Sequence, residues 1–188
     1  MTRLTDQAHE LIAAVLKPGE TAIDATAGNG HDTLFLCQTV GPTGSVFAFD
    51  IQQKGLDQTI EKLTQAGFSN CNLVCHDHSQ LAEIIPSNLH QRIGAIMFNL
   101  GYLPGGDHTI ITQQHSTLTA VKAASKLLRP GGILTIMAYP GHPGGAAETT
   151  AVSEWINTLE ENLFKTDICF SLSDSTRAPR LFVLRKQE

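Results

Sequence analysis

Asp24-Ala25-Thr26-Ala27-Gly28-Asn29-Gly30 stands between a short apolar run and a helical one. In an open parallel sheet such a turn lies at the carboxyl end of a strand, where ligands bind. Glycines there let the main chain come close to a ligand at the helix start. A dinucleotide fingerprint, Gly-x-Gly-x-x-Gly, would need a third glycine where Thr33 stands. The larger residue argues against tight packing on a pyrophosphate. Asp50 ends the next apolar run, followed by Ile51 and Gln52. An acid at that place, about 20 residues beyond the glycines, accepts hydrogen bonds from ribose hydroxyls. A third run ends at His76-Asp77-His78. Polar groups at three successive strand ends are hard to explain by packing and point to a nucleoside cofactor. The expected lining is Asp24, Ala25, Thr26, Gly28, Asn29, Gly30, Thr33, Asp50, Ile51, Gln52, Asp77 and His78. NAD is the rival cofactor.

Two later loops carry the remaining polar and aromatic groups. A fourth apolar run ends Phe98-Asn99-Leu100-Gly101-Tyr102-Leu103-Pro104-Gly105-Gly106-Asp107-His108, and a fifth ends Tyr139-Pro140-Gly141-His142. Asn99 and Tyr102 are candidates for holding an acceptor, with Tyr139, His142 and Asp32 lining the same space. Asp107 and His108, taken with His76 or His78, lack the spacing of a metal-ligand set, so no metal is expected.

These residues need elements to hold them. The pattern predicts helices over about 6–16, 33–40, 53–66, 113–128 and 147–162. It predicts strands over 21–26, 45–50, 72–75, 93–99, 133–139, 166–172 and 180–186. Leu118, Val121, Ala124, Leu127 and Leu128 are spaced for one buried helical stripe. Arg129-Pro130-Gly131-Gly132 reads as a helix stop and turn. Strand-helix alternation means a mainly parallel sheet with helices on both faces. The last two runs are joined by a turn alone, so they should pair antiparallel.

The chain has 188 residues, 41% hydrophobic and 16% charged, which suits one soluble domain over residues 1–188. No apolar run reaches the roughly 20 residues of a membrane span, and the first residues lack the apolar core of a secretory signal. A cytoplasmic protein is the expectation. Of four cysteines, Cys37, Cys71, Cys75 and Cys169, none has zinc spacing, and all are expected to be buried thiols. A net charge of −5 disfavours non-specific nucleic-acid binding. It leaves room for a local basic surface, for which Lys122, Lys126 and Arg129, or Arg177, Arg180, Arg185 and Lys186, are candidates.

The Asp-x-x-x-Gly-x-Gly turn resembles the first motif of S-adenosylmethionine (SAM) enzymes, in which a polar side chain after the third strand holds the adenine. A parallel sheet closed by an antiparallel hairpin resembles the class I, Rossmann-like methyltransferases. Enzymes of that class acting on exocyclic amines place Asn, Asp or Ser, two prolines and an aromatic after the fourth strand. Here Leu100-Gly101 stand in the proline places, which argues against planar adenine or cytosine as acceptor. The runs from Asp24 to Thr33, Phe49 to Gln52, Asn99 to Asp107 and Tyr139 to Gly145 together resemble one family, long labelled rRNA methylases. That family is now associated with the wobble uridine of bacterial tRNA. The resemblance implies SAM as donor, with Asn99 also beside it. It implies a tRNA anticodon stem-loop as partner, bound on the catalytic face by a monomer or a homodimer. The reaction implied converts 5-aminomethyl-(2-thio)uridine to 5-methylaminomethyl-(2-thio)uridine. Methylation of rRNA or of a small molecule, and a SAM-binding module without catalysis, are the alternatives. An alkyl amine is largely protonated at neutral pH, so the site must favour its neutral form by desolvation or a nearby base.

Overall fold

The computed structural model describes residues 3–103, 105, 109–171 and 175–188. Asp107 and His108, and Leu172 of the expected sixth strand, lie outside them. Seven strands form one sheet in the order β3-β2-β1-β4-β5-β7-β6. They are β1 Thr21–Asp24, β2 Ser45–Asp50, β3 Cys71–Cys75, β4 Ile93–Asn99, β5 Leu128–Ala138, β6 Phe164–Phe170 and β7 Arg180–Lys186. The first five run parallel, while β7 lies antiparallel between β5 and β6. This is the class I methyltransferase architecture. The strand order reverses between β1 and β4, so their carboxyl ends open a crevice between them.

Helices cover both faces. They are α1 Leu4–Ala13, α2 His31–Val40, α3 Gln53–Gln65, α4 Leu81–Ile84, α5 Gln114–Leu127 and α6 Gly145–Ile156. On one face Leu81 and Ile85, with α5 and α6, pack against Ile23, Ile96, Phe98, Ile136 and Phe182. On the other, α1, α2 and Leu63 of α3 pack against Ala22, Val46, Ala95, Met97 and Val183. β4 is apolar almost throughout because both of its faces are covered, and six of its seven residues are buried. None of the helices among the described residues is long and apolar enough to cross a membrane.

Several boundaries differ from expectation. α1 ends at Ala13, beyond which the Val15 N–H bonds only three residues back, to Ile12. β1 stops at Asp24, and Ala25 turns to bond Met97 of β4. Residues 129–132 are not a turn after α5: they open β5, whose register on β4 shifts there to absorb Pro130 and the two glycines. α6 ends six residues early, because Thr158 and Leu159 turn back on Trp155 and Ile156. Short helical turns at His78–Gln80, Leu81–Ile84 and Ser87–Leu89 carry no sequence period long enough to read. The thiols are not all buried. Cys37 is, Cys71 and Cys169 are half-buried, and Cys75 is exposed.

Two of the expected basic residues, Arg129 and Lys186, are engaged in contacts that hold the fold. Arg129 grips Glu20 through two contacts, Nε to Oε1 at 2.7 Å and Nη2 to Oε2 at 3.0 Å, and also donates to the Val15 carbonyl. Lys186 donates to the Leu128 carbonyl. The Arg129–Glu20 pair ties the chain entering β1 to the start of β5. Burial works against ionisation of Glu20. The Arg129 guanidinium and the Lys17 N–H nevertheless hold its carboxyl below the ordinary value. A carboxylate with a lowered folded pKa adds stability above its unfolded pKa, and that stability is lost as pH falls through the folded one. Arg129→Ala should therefore lower unfolding free energy by about 1–2 kcal/mol at pH 7. In urea melts the gap between variant and wild type should close as pH falls below about 4.

Candidate active site in the crevice between β1 and β4

The crevice floor is built from backbone amides and carboxylates. Asp24 has no exposed surface. Its Oδ1 accepts the Thr26 N–H at 3.1 Å and its Oδ2 the Thr33 hydroxyl at 2.6 Å. Thr33 thus has a positive reason to replace the third glycine: its hydroxyl fastens α2 to the turn. Asp24 braces the loop from beneath rather than facing a ligand. Asp50 accepts the Gly28 N–H through one oxygen and the Gln52 N–H through the other, both at 2.8 Å. Each oxygen keeps a lone pair for a ribose hydroxyl.

Glycine is required in this turn. Gly28 and Gly30 have φ of +52° and +74°, and a Cβ on Gly30 would lie 2.7 Å from the Thr59 hydroxyl. A Cβ on Gly55 of α3 would lie 2.9 Å from the Gly28 carbonyl. The loop is therefore clamped between α2 and α3, with the Thr59 hydroxyl donating to the Gly28 carbonyl at 3.1 Å. Ile51, 49% exposed, offers an apolar wall beside Asp50. Asp77 accepts the Ser79 N–H at 2.8 Å and caps the turn after β3. His78 differs from expectation. It is buried, its Nδ1 lies 3.2 Å from the Ala25 carbonyl, and its ring stands edge-on to Phe98. It packs beneath the first loop, because the helical turn beginning at residue 78 swings it inward.

The acceptor side is tied to this floor. The Asn99 N–H donates to the Thr26 hydroxyl at 2.6 Å, joining the loops after β1 and β4. The Asn99 amide donates to Asp32 Oδ2 at 3.3 Å. Tyr139 is half-buried, and burial first, then the Asp32 carboxylate, raise its pKa. Its phenol stays protonated and can donate. Tyr102, 44% exposed, stands edge-on to His142 with ring centroids 6.4 Å apart. His142 Nδ1 lies 2.9 Å from the Pro143 carbonyl. Gly145 is needed behind them, since a Cβ there would press on the Tyr139 carbonyl and lie 2.8 Å from His142 Nε2. The five expected acceptor residues thus fall into two neighbouring groups, Asn99–Asp32–Tyr139 and Tyr102–His142.

Two further residues belong to this region and gave no signal in the sequence. His9 of α1 meets Asp32 Oδ1 at 2.7 Å. Glu148 of α6 is 2% exposed and takes the Thr117 hydroxyl at 2.6 Å and the Thr112 hydroxyl at 2.9 Å. Thr112 in turn accepts the Gly101 N–H at 2.9 Å, so Glu148 anchors both ends of the acceptor loop.

Electrostatics select the cofactor. Asp24, Asp32 and Asp50 converge on the crevice, and burial first, then the Asp32 carboxylate, push Asp24 up to about 7 against its hydrogen bonds. Such a floor repels the pyrophosphate of a dinucleotide and suits a sulfonium nucleoside with an α-ammonium group. The glycine cradle, the Asp50 lone pairs and the acidic floor therefore fit SAM.

Residues 46–185 match the family model described as "Putative rRNA methylase". The chain belongs to this family. It is a SAM-dependent methyltransferase. It is 39% identical, over 99% of its length and 70% of the relative's, to a chloroplastic protein of Arabidopsis thaliana named tRNA (mnm(5)s(2)U34)-methyltransferase. The crystal structure of a putative rRNA-methylase from Clostridium thermocellum superposes with a TM-score of 0.93 at 35% identity, covering 99% of this chain and 98% of that one. A putative methyltransferase from Streptococcus mutans in complex with SAH gives 0.87 at 34% identity, with 99% of each chain covered.

Two outcomes follow from this geometry. A cationic donor favours ionised Asp24, so below about pH 7 its binding must release that proton. Calorimetry should show SAM affinity rising with pH up to about 7 and levelling above it, while Asp24→Asn should give a flat profile. Glu148→Ala leaves two hydroxyls without their acceptor and should cost about 2–3 kcal/mol. Hydrogen exchange at the Gly101 amide should speed up in that variant more than exchange within β4.

Proposed function

We propose that the protein methylates the side-chain nitrogen of 5-aminomethyl-(2-thio)uridine at the tRNA wobble position, giving 5-methylaminomethyl-(2-thio)uridine. The observation that carries this reading is the carboxylate of Asp32 on the Asn99 amide, in place of a proline-locked loop. A planar exocyclic amine is neutral and is held by a rigid main chain. An alkyl amine arrives as a cation, and a carboxylate set behind the strand-end asparagine draws it in. The name of the Arabidopsis relative supports the same acceptor.

The bound donor supplies a methyl group already activated on a sulfonium centre. The remaining work is positioning and proton handling. Asn99, with its Nδ2 turned to Asp32, keeps its carbonyl oxygen to accept an amine N–H. Desolvation between Tyr139 and the loop lowers the pKa of the amine, so that its surplus proton leaves to solvent before transfer. The neutral nitrogen held on Asn99 would carry the lone pair that transfer from a bound donor requires. The edge-on Tyr102 and His142 rings offer a surface for the uracil, and the Tyr139 hydroxyl can donate to one of its carbonyls.

An anticodon stem-loop is the proposed partner on this face, met by one protomer or by a homodimer. Arg177 lies beside Gly141, and Arg180 covers the exposed Phe170 ring at 5.9 Å, at the same end of the sheet as the acceptor loops. Cations placed there meet phosphates next to the site despite the acidic total charge. The family description keeps rRNA as a second reading.

Nucleoside mass spectrometry after incubation with SAM separates the two. A stem-loop carrying 5-aminomethyl-2-thiouridine should gain one methyl group on the wobble nucleoside, and rRNA should gain none. Methylated rRNA with an unmodified stem-loop would reverse the assignment. Asn99→Ala should lower turnover of the stem-loop about 100-fold and lower SAM affinity far less. Equal loss of both would remove Asn99 from the acceptor role.

A further inference from the structure

His9 stands outside the five strand-end loops that form the site, yet it is bonded to one of the site's carboxylates. Its Nε2 lies 2.7 Å from Asp32 Oδ1, and the two side chains are 28% and 13% exposed. Its ring lies flat on Phe35 of α2, with centroids 3.9 Å apart and planes 3° from parallel. The stack and the carboxylate together leave the imidazole one orientation. Asp32 sits one turn before Phe35, so α2 presents a carboxylate and a ring to the same histidine. The other oxygen of Asp32 takes the Asn99 amide.

What lies on the remaining side of Asp32 matters. A cavity of about 10 Å³ is bordered there by Thr5, Ala8, Asp32, Asn99 and Thr135. The Thr135 hydroxyl is buried with no hydrogen-bond partner. Side-chain packing therefore does not wedge Asp32 against Asn99; its hydrogen bonds set its position. A carboxylate accepts and never donates when ionised. Held by His9 at one oxygen, it can only receive the Nδ2 face of Asn99 at the other. The Asn99 carbonyl is then turned away from Asp32.

We infer that His9 is a positioning residue for methyl transfer, acting through Asp32 to fix which face of the Asn99 amide meets the acceptor amine. This rests on the acceptor role proposed for Asn99. The chain of contacts runs from α1 through α2 to the end of β4, so it couples a helix outside the sheet to the reacting nitrogen. Each link is a directional hydrogen bond, and a slip of about 1 Å at such a support can cost on the order of 100-fold in rate.

His9→Leu and His9→Gln separate positioning from packing. Leucine keeps the apolar contact with Phe35 and loses the donor to Asp32. Glutamine places an N–H near the position of Nε2. In a methylation assay on the stem-loop, His9→Leu should lower kcat about 10- to 100-fold without changing KM or SAM affinity. His9→Gln should restore most of it, and His9→Leu combined with Asp32→Asn should lose no more than Asp32→Asn alone. A loss of kcat shared by both His9 variants with a matching fall in Tm, or full activity of His9→Leu, would overturn the inference. A second readout needs no RNA. The Asn99 side-chain amide resonance, identified by its disappearance in Asn99→Ala, should shift in His9→Leu and hold in His9→Gln. An unmoved resonance in His9→Leu likewise sinks the inference. If the wild type leaves every stem-loop unmodified while the resonance behaves as expected, the acceptor assignment fails and the His9–Asp32–Asn99 coupling stands.

Discussion

One hydrogen bond closes the working end of this sheet: the Asn99 N–H on the Thr26 hydroxyl, at 2.6 Å. It spans the gap between β1 and β4, where the strand order reverses and no helix crosses. Together with the Ala25 N–H on the Met97 carbonyl and the Asn99 amide on Asp32, it joins the donor loop after β1 to the acceptor loop after β4. With it, a shift of one is a shift of the other. The same threonine's N–H bonds Asp24, and Asp24 holds Thr33 at the start of α2. Two stretches distant in sequence, residues 24–33 and the end of β4, thereby meet within a few bonds of one side chain.

The crevice concentrates negative charge at the cost of an abnormal aspartate. Burying Asp24 near Asp32 and Asp50 is unfavourable by itself, which is why its carboxyl is pushed up to about 7. The arrangement makes sense when both reactants bring positive charge, one as a sulfonium with an ammonium and the other as an alkylammonium. A dinucleotide turn shares the glycines, the helix start and the ribose acid; the buried Asp24 beside Asp32 is what adds negative charge here.

Much of this was readable from the sequence where local chemistry decides. Ser45–Asp50 and Ile93–Asn99 have the expected bounds, because each is an apolar run that a polar residue ends. The acidic strand ends and the glycine turn could be found by type and spacing. Features that depend on distant partners could not. His9 reads as a polar position on an amphipathic helix, and its partner lies 23 residues away. Glu148 reads as a solvated helix acid, whereas two threonine hydroxyls make its burial tolerable. His78 reads as a ligand because of its place after β3, but the helical turn beginning there sends it inward. Residues 129–132 carry every local mark of a turn, and pairing with β4 overrides them.

The position of β7 has a consequence for assembly. It follows β6 in the chain but lies between β5 and β6, and its central residues Leu181, Phe182, Val183 and Leu184 are almost wholly inaccessible. During synthesis β6 therefore emerges beside a sheet it cannot join, with its own neighbour still to be made. The nascent domain must hold its unfinished edge open, at risk of self-association, until a later segment threads into the gap. Until β7 is in place, the edge of β5 that leads to Tyr139 has no strand beside it on that side.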